Sequence, residues 1–261
     1  MEVENNIAVY SLRAGTIRQL RGEVDAARIT NEEALAIFRK LNEEANEAIA
    51  LHNLAVIAQE QGKSAEARRL YDESLEISRK LGNQNGIAIT LHQLGRLAQE
   101  QGKLAEARRL YDESLEIKRK LGDQNVIANT LHQLAMLAQE QGELVEARRL
   151  YDESLEITKK LGNQSGIAGT LHQLAVLAQE QGELEEARRL YNESLEIKRK
   201  LGNQIGIATA LGQLGFLAEE EGNIGEAVRL LREALDIFEK LKSPYAEMAR
   251  RNLRRLEKKS S

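Results

Sequence analysis

Four histidines, His52, His92, His132 and His172, stand 40 residues apart, and each is followed by a carboxamide, Asn53, Gln93, Gln133 or Gln173, in a row that Gln213 continues. Imidazoles can ligate metals or move protons near neutral pH, and a carboxamide offers a donor and an acceptor together. The metal reading fits poorly. Zinc needs donor nitrogens about 2.0–2.1 Å from the ion, packed helices stand about 8–10 Å apart, and no Cys or Asp completes a shell. The chain has no cysteine, which also removes disulfides and thiolate nucleophiles. No histidine has an adjacent serine nucleophile with an orienting acid, and no glycine-rich phosphate loop follows a strand, so neither an enzyme activity nor a cofactor is expected. Protonation is a different matter: histidines with an ordinary pKa near about 6.5 would make their surface more positive in mild acid.

The elements that carry these residues repeat with them. A shift of 40 residues superimposes Leu51-His52-Asn53-Leu54 on the segments starting at Leu91, Leu131, Leu171 and Leu211 without a slip in register. Such a period marks stacked units that cannot bury their apolar faces alone. Within one unit the pattern predicts a helix from about Gln84 to Gln101 and a second from about Leu104 to Leu121, closed by Gly102 and Gly122, where a helix end needs positive φ. Asp123, or Asn at 83, 163 and 203, can then cap the next helix. Each unit reads as a helical hairpin. Its first helix buries Ile87, Ala88, Leu91, Leu94, Gly95 and Ala98, with Leu97 on the flank. Its second gathers Leu104, Ala107, Leu110, Tyr111, Ser114, Leu115, Ile117 and Leu121, with Arg108, Arg109, Asp112, Glu113, Glu116 and Lys120 facing water.

The Leu91, Leu94, Gly95 spacing, the Gly102 turn, and Ala107, Tyr111 and Ser114 resemble the tetratricopeptide pattern over nearly the whole chain. Two departures are visible: the period is 40 rather than about 34, and the proline that commonly ends the second helix is missing. The 40-residue form is similar to repeats of kinesin light chain, of spindle-orientation adaptors and of prokaryotic signalling arrays. The resemblance implies an all-α solenoid, a right-handed superhelix of six hairpins plus a C-terminal capping helix, whose concave side takes an extended peptide or partner domain. The expected divisions are a degenerate first repeat at 1–42, full repeats at 43–82, 83–122, 123–162, 163–202 and 203–242, and a cap at 243–261. In the first repeat Ser11, Arg18 and Asn31 replace Leu, Ala and Tyr; in the cap, Ser243-Pro244 starts a helix on which Tyr245, Met248, Ala249, Leu253 and Leu256 cover the last hairpin. Arg250, Arg251, Arg254, Arg255, Lys258 and Lys259 would then face water.

The binding residues expected on the first helices fall into two sets. The amide row and the histidines form the constant set, able to satisfy the backbone of an extended peptide. Val56, Arg96, Met136, Val176 and Phe216 form a changing set at the centre of the same face, flanked by Ile49, Ile89, Asn129, Gly169 and Thr209. Exposed apolar groups such as Met136 and Phe216 suit side-chain pockets. The partner expected is therefore a protein or extended peptide, with self-association, or service as the sensor region of a larger signalling ATPase, as alternatives. A net charge of -4 without a general cluster of Lys and Arg argues against nucleic acid, and no stretch approaches the roughly eighteen apolar residues of a membrane span. The N-terminus lacks the basic and apolar regions of a secretory leader, so a cytoplasmic location is expected.

Overall fold

Short loops and well-placed glycines, with the chain's single proline kept out of helix interiors, leave little besides helix. The computed structural model describes residues 2–260 and contains thirteen α-helices. They are α1 (Glu2–Leu20), α2 (Val24–Leu41), α3 (Glu44–Glu60), α4 (Ser64–Lys80), α5 (Gln84–Glu100), α6 (Leu104–Leu121), α7 (Gln124–Glu140), α8 (Leu144–Lys160), α9 (Gln164–Glu180), α10 (Leu184–Lys200), α11 (Gln204–Glu220), α12 (Ile224–Lys240) and α13 (Tyr245–Ser260). No strand occurs among the described residues. The helices form two compact units that meet inside α7, one running to Gln133 and one beginning at Leu134.

The turns follow from local chemistry. Gly102 adopts φ 71° and its N–H bonds Gln99 O at 2.9 Å, while the Lys103 N–H reaches back to Ala98 O at 2.9 Å. This satisfies carbonyls that a helix end would otherwise leave unpaired. The Asn83 Oδ1 accepts from the Gly86 N–H at 3.0 Å, Asn163 and Asn203 repeat the cap, and Asp123 Oδ1 accepts from Val126 N–H at 3.3 Å. Asn223 caps α12 in the same way.

In the first unit α1 pairs with α2, α3 with α4 and α5 with α6; α2 then packs on α3 and α4 on α5, and α3 also touches α1 and α5. In the second unit α9 pairs with α10 and α11 with α12, α8 packs on α9, α10 on α11, and α13 covers α12. Leu91, Leu94, Leu97, Ala98, Ala107, Leu110 and Tyr111 are buried, so Leu97 belongs to the interior rather than the flank. Leu104 and Ile117 are only half-buried and Leu121 is 49% exposed.

Two ends depart from the repeat. Asn31, at the tyrosine position, is fully buried and donates to Ala27 O at 2.8 Å; its side chain fills the space against Gly15. In α13 Ala249, Leu253 and Leu256 are buried; Tyr245 and Met248 stay half exposed, with the Tyr245 ring 5.7 Å from that of Phe238 on α12. Arg250, Arg255 and Lys259 are held in ion pairs, the first with Glu239 and Glu247 and the others with Glu219.

Candidate partner-binding face

The histidines sit on the first helices of the hairpins, and the His52 and His92 rings are wedged between their own hairpin and the next. The His52 ring lies 5.5 Å from the Tyr71 ring, His92 5.4 Å from Tyr111, and His172 5.4 Å from Tyr191, all in tilted or edge-on contact. Each tyrosine is anchored in turn, since the hydroxyls of Tyr71, Tyr111, Tyr151 and Tyr191 donate to Gln59, Gln99, Gln139 and Gln179 at 3.0–3.2 Å. The other contact of the imidazole reaches forward: His52 Nδ1 is 3.4 Å from the Thr90 hydroxyl and His92 Nδ1 3.2 Å from that of Thr130. At His172 the threonine is replaced by Ala210, and Nδ1 is buried with no hydrogen-bond partner among the described residues.

This packing corrects the mild-acid expectation. Burial disfavours the imidazolium and pushes His52, His92, His132 and His172 down to about 4, far below the ordinary histidine value. The rings are neutral in mild acid and add no charge to the face. Among the described residues there is also no cluster of three or more His, Cys, Asp or Glu that could hold a metal ion.

The amides lie beside them, half-buried. Asn53 Nδ2 donates to Asn31 Oδ1 at 3.3 Å and Gln93 Oε1 accepts from Arg96 at 3.2 Å, while Gln173 and Gln213 make no hydrogen bond among the described residues. In the changing set Val56, Met136, Val176 and Phe216 are half-buried rather than fully exposed, and only Arg96 stands out, its guanidinium 3.8 Å from Glu100. Of the flanking positions Ile49 and Asn129 are exposed, and Ile89, Gly169 and Thr209 are half-buried.

Two clefts open on this face. In the first unit, a space of about 260 Å³ lies between α3, α4 and α5, walled by Ile49, His52, Ser78, Asn85 and Ile89. In the second, an apolar cleft of about 310 Å³ lies between α11, α12 and α13, lined by Ile205, Gly212, Phe216, Phe238, Tyr245 and Met248. The second cleft was not foreseen from the sequence, although its signal is there. Gly212 stands where the four preceding repeats carry histidine and Leu231 where they carry tyrosine, so the ring packing of those repeats is missing.

A family model for the tetratricopeptide repeat matches residues 6–80, 46–120, 86–160, 126–200 and 166–240. The chain belongs to the tetratricopeptide repeat family. Tetratricopeptide repeats generally mediate protein–protein interaction and are generally non-enzymatic scaffolds. No curated protein matches this one by sequence. Solved structures share its fold. A kinesin light chain-type protein of Podosopora anserina with nearly identical TPR-like repeats is 24% identical, with a TM-score of 0.62 over 77% of this chain and 99% of that one. The tetratricopeptide repeat sensor protein of the signal transduction ATPase class from Pyrococcus horikoshii gives 18%, 0.81, 96% and 38%. Rap protein complexed with competence and sporulation factor gives 14%, 0.70, 97% and 75%. Among the described residues of this tetratricopeptide repeat protein no helix is long and apolar enough to cross a membrane.

Proposed function

We propose that the protein is an interaction scaffold that takes an extended segment of a partner protein along the amide-bearing face of its first helices. The observation that carries this reading is the pairing, on α11, of a carboxamide without an internal partner, Gln213, with the apolar cleft beside it at Phe216, Gly212 and Met248. A free amide can bond a peptide backbone, and the adjoining cleft has room for one large apolar side chain, which is the division of labour in extended-peptide recognition. The test is calorimetric titration with positional-scanning hexapeptide mixtures, each fixing one residue in turn. Mixtures fixing Leu, Phe or Met should bind best, and Gly212→His, which places in the cleft the imidazole of the four preceding repeats, should remove that preference. Equal affinity in the variant would reject the cleft as the pocket. Arg96→Glu combined with Phe216→Ala should likewise weaken binding with helical content unchanged.

A second reading, self-association, is favoured by α1, where Val3, Ile7, Tyr10 and Ile17 fall on one side of the helix and are 71%, 52%, 68% and 51% exposed. Light scattering across a dilution series checks it: a mass that stays monomeric at every concentration excludes it.

A further inference from the structure

Lysine occurs twice at the same buried register of the second helices, with opposite surroundings. Lys118 on α6 is fully buried, and its ammonium is held by Asn85 Oδ1 and, at 2.9 Å, by Asp123 Oδ2. Lys198 on α10 is 8% exposed, and at the matching positions stand Ser165 and Asn203. Ser165 makes no hydrogen bond with Lys198 among the described residues, and the Asn203 carboxamide oxygen is taken by the Gly206 N–H at 2.9 Å. Among the described residues no hydrogen bond or ion pair reaches Lys198, and burial pushes its amine down to about 8.

The neighbour of Lys198 is also incomplete. His172 Nδ1 is buried and unpartnered, and the Lys198 charge is the second cause, after burial, of that histidine's lowered pKa. Two polar groups of one inter-helix space thus lack partners. In the first unit the corresponding space is the cleft of about 260 Å³ at Ser78, bordered by Ile49. In the second unit the border residue is Gly169, and a Cβ built there meets nothing within 4 Å, so the way in is wider.

We propose that Lys198 and His172 form a carboxylate-binding site between α9, α10 and α11, filled by an aspartate or glutamate side chain of the bound segment. This rests on the reading of the face as a peptide-binding surface, and it names the residue class that the segment must supply there. The ammonium supplies the single positive charge, and the neutral imidazole in its Nδ1–H tautomer donates to the second oxygen. A single lysine without an accompanying arginine matches one negative charge better than a phosphate. A carboxylate would also restore in trans what Asp123 gives Lys118 in cis.

Two measurements decide it. In the first, the hexapeptide mixtures are titrated into the wild type and Lys198→Met. Mixtures fixing Glu or Asp should bind at least about tenfold more tightly than those fixing Gln or Asn, a difference of about 1.4 kcal/mol, and the variant should lose the difference. In the second, the protein carrying ¹³C-labelled lysine is titrated with acetate, and the Lys198 signal, identified by its absence from the variant, is followed with pH. Acetate should raise its midpoint from about 8 toward the ordinary lysine value. A midpoint indifferent to acetate overturns the proposal. So does peptide binding without an acidic preference, or with a preference that persists in Lys198→Met; either leaves the peptide-binding reading standing. Acetate binding with no hexapeptide binding instead removes the peptide-binding reading and leaves a site for small free carboxylates.

Discussion

His92 Nδ1 meets the Thr130 hydroxyl at 3.2 Å, so a side chain of one hairpin is fastened to the first helix of the next. The bond recurs, at 3.4 Å, between His52 and Thr90, and fails at His172, where Ala210 stands in the threonine position. A buried acceptor or donor without a partner costs about 1–3 kcal/mol. Replacing Ala210 by Thr supplies the group that the three preceding repeats possess as Thr90, Thr130 and Thr170, at a position whose backbone is already helical. Ala210→Thr should raise stability by about 0.5–1.5 kcal/mol, read from the urea midpoint. A loss of stability would mean that α11 lies too close to α9 to admit the hydroxyl.

The same wedged rings make the fold sensitive to acid. The four histidines fall from 6.5 in the open chain to about 4 in the fold, so the unfolded state binds more protons between those values. Stability is therefore complete above about pH 6.5 and declines as the pH falls toward 4, by about 1–3 kcal/mol for each ring. His52→Phe and His92→Phe should flatten this decline in thermal melts taken between pH 7 and pH 4. A melting temperature constant over that range would show that the rings are hydrated.

How far the sequence could be read depended on how each residue meets its neighbours. Helix limits were legible because Gly102, Gly122 and the Asn caps act within a few residues of themselves: a helix expected from about Gln84 to Gln101 runs Gln84–Glu100, and its partner spans Leu104–Leu121. Contacts between hairpins were not. His92 reads as a surface residue on a helical wheel and is enclosed only because Tyr111 and Thr130 approach it from two other helices. Lys118 and Lys198 were passed over because lysine in a charged helix end suggests a solvated side chain. Phe38 and Phe238 occupy the same column of the repeat and are buried, and that column was the available signal.

The two lysines should answer differently to one substitution. Lys198→Met removes an unpaired buried cation while keeping most of its volume, and should stabilise the protein by about 1–2 kcal/mol at pH 7. Lys118→Met takes the cation from Asp123 and Asn85 and should give no gain. Because Lys198 sits at about 8 in the fold and near 10.5 when unfolded, the unfolded state holds the extra proton between these values, and the wild type gains stability as the pH rises through them. The advantage of Lys198→Met should shrink over that same interval. Equal responses of the two variants in urea titrations would remove the distinction between them.

The cleft at Phe216 exists only while α13 stays docked, and Glu219 at the end of α11 supplies its polar fastening. Both Glu219 oxygens are 2.5 Å from the Arg255 guanidinium, and one is 2.8 Å from Lys259 Nζ. The Arg255 hydrogen bonds, followed by that of Lys259, bring Glu219 down to about 2. A carboxylate lowered in the fold contributes fully above its unfolded value of about 4.5 and loses that contribution as the pH falls toward 2. The cations are 44% and 55% exposed, so solvent screening reduces the worth of the cluster to about 1 kcal/mol. Glu219→Gln should therefore leave global stability nearly intact while amides of α13 exchange with solvent about fivefold faster, in line with that energy. Unchanged exchange in α13 would show that Leu253 and Leu256, both buried, hold the helix without help from the ion pairs.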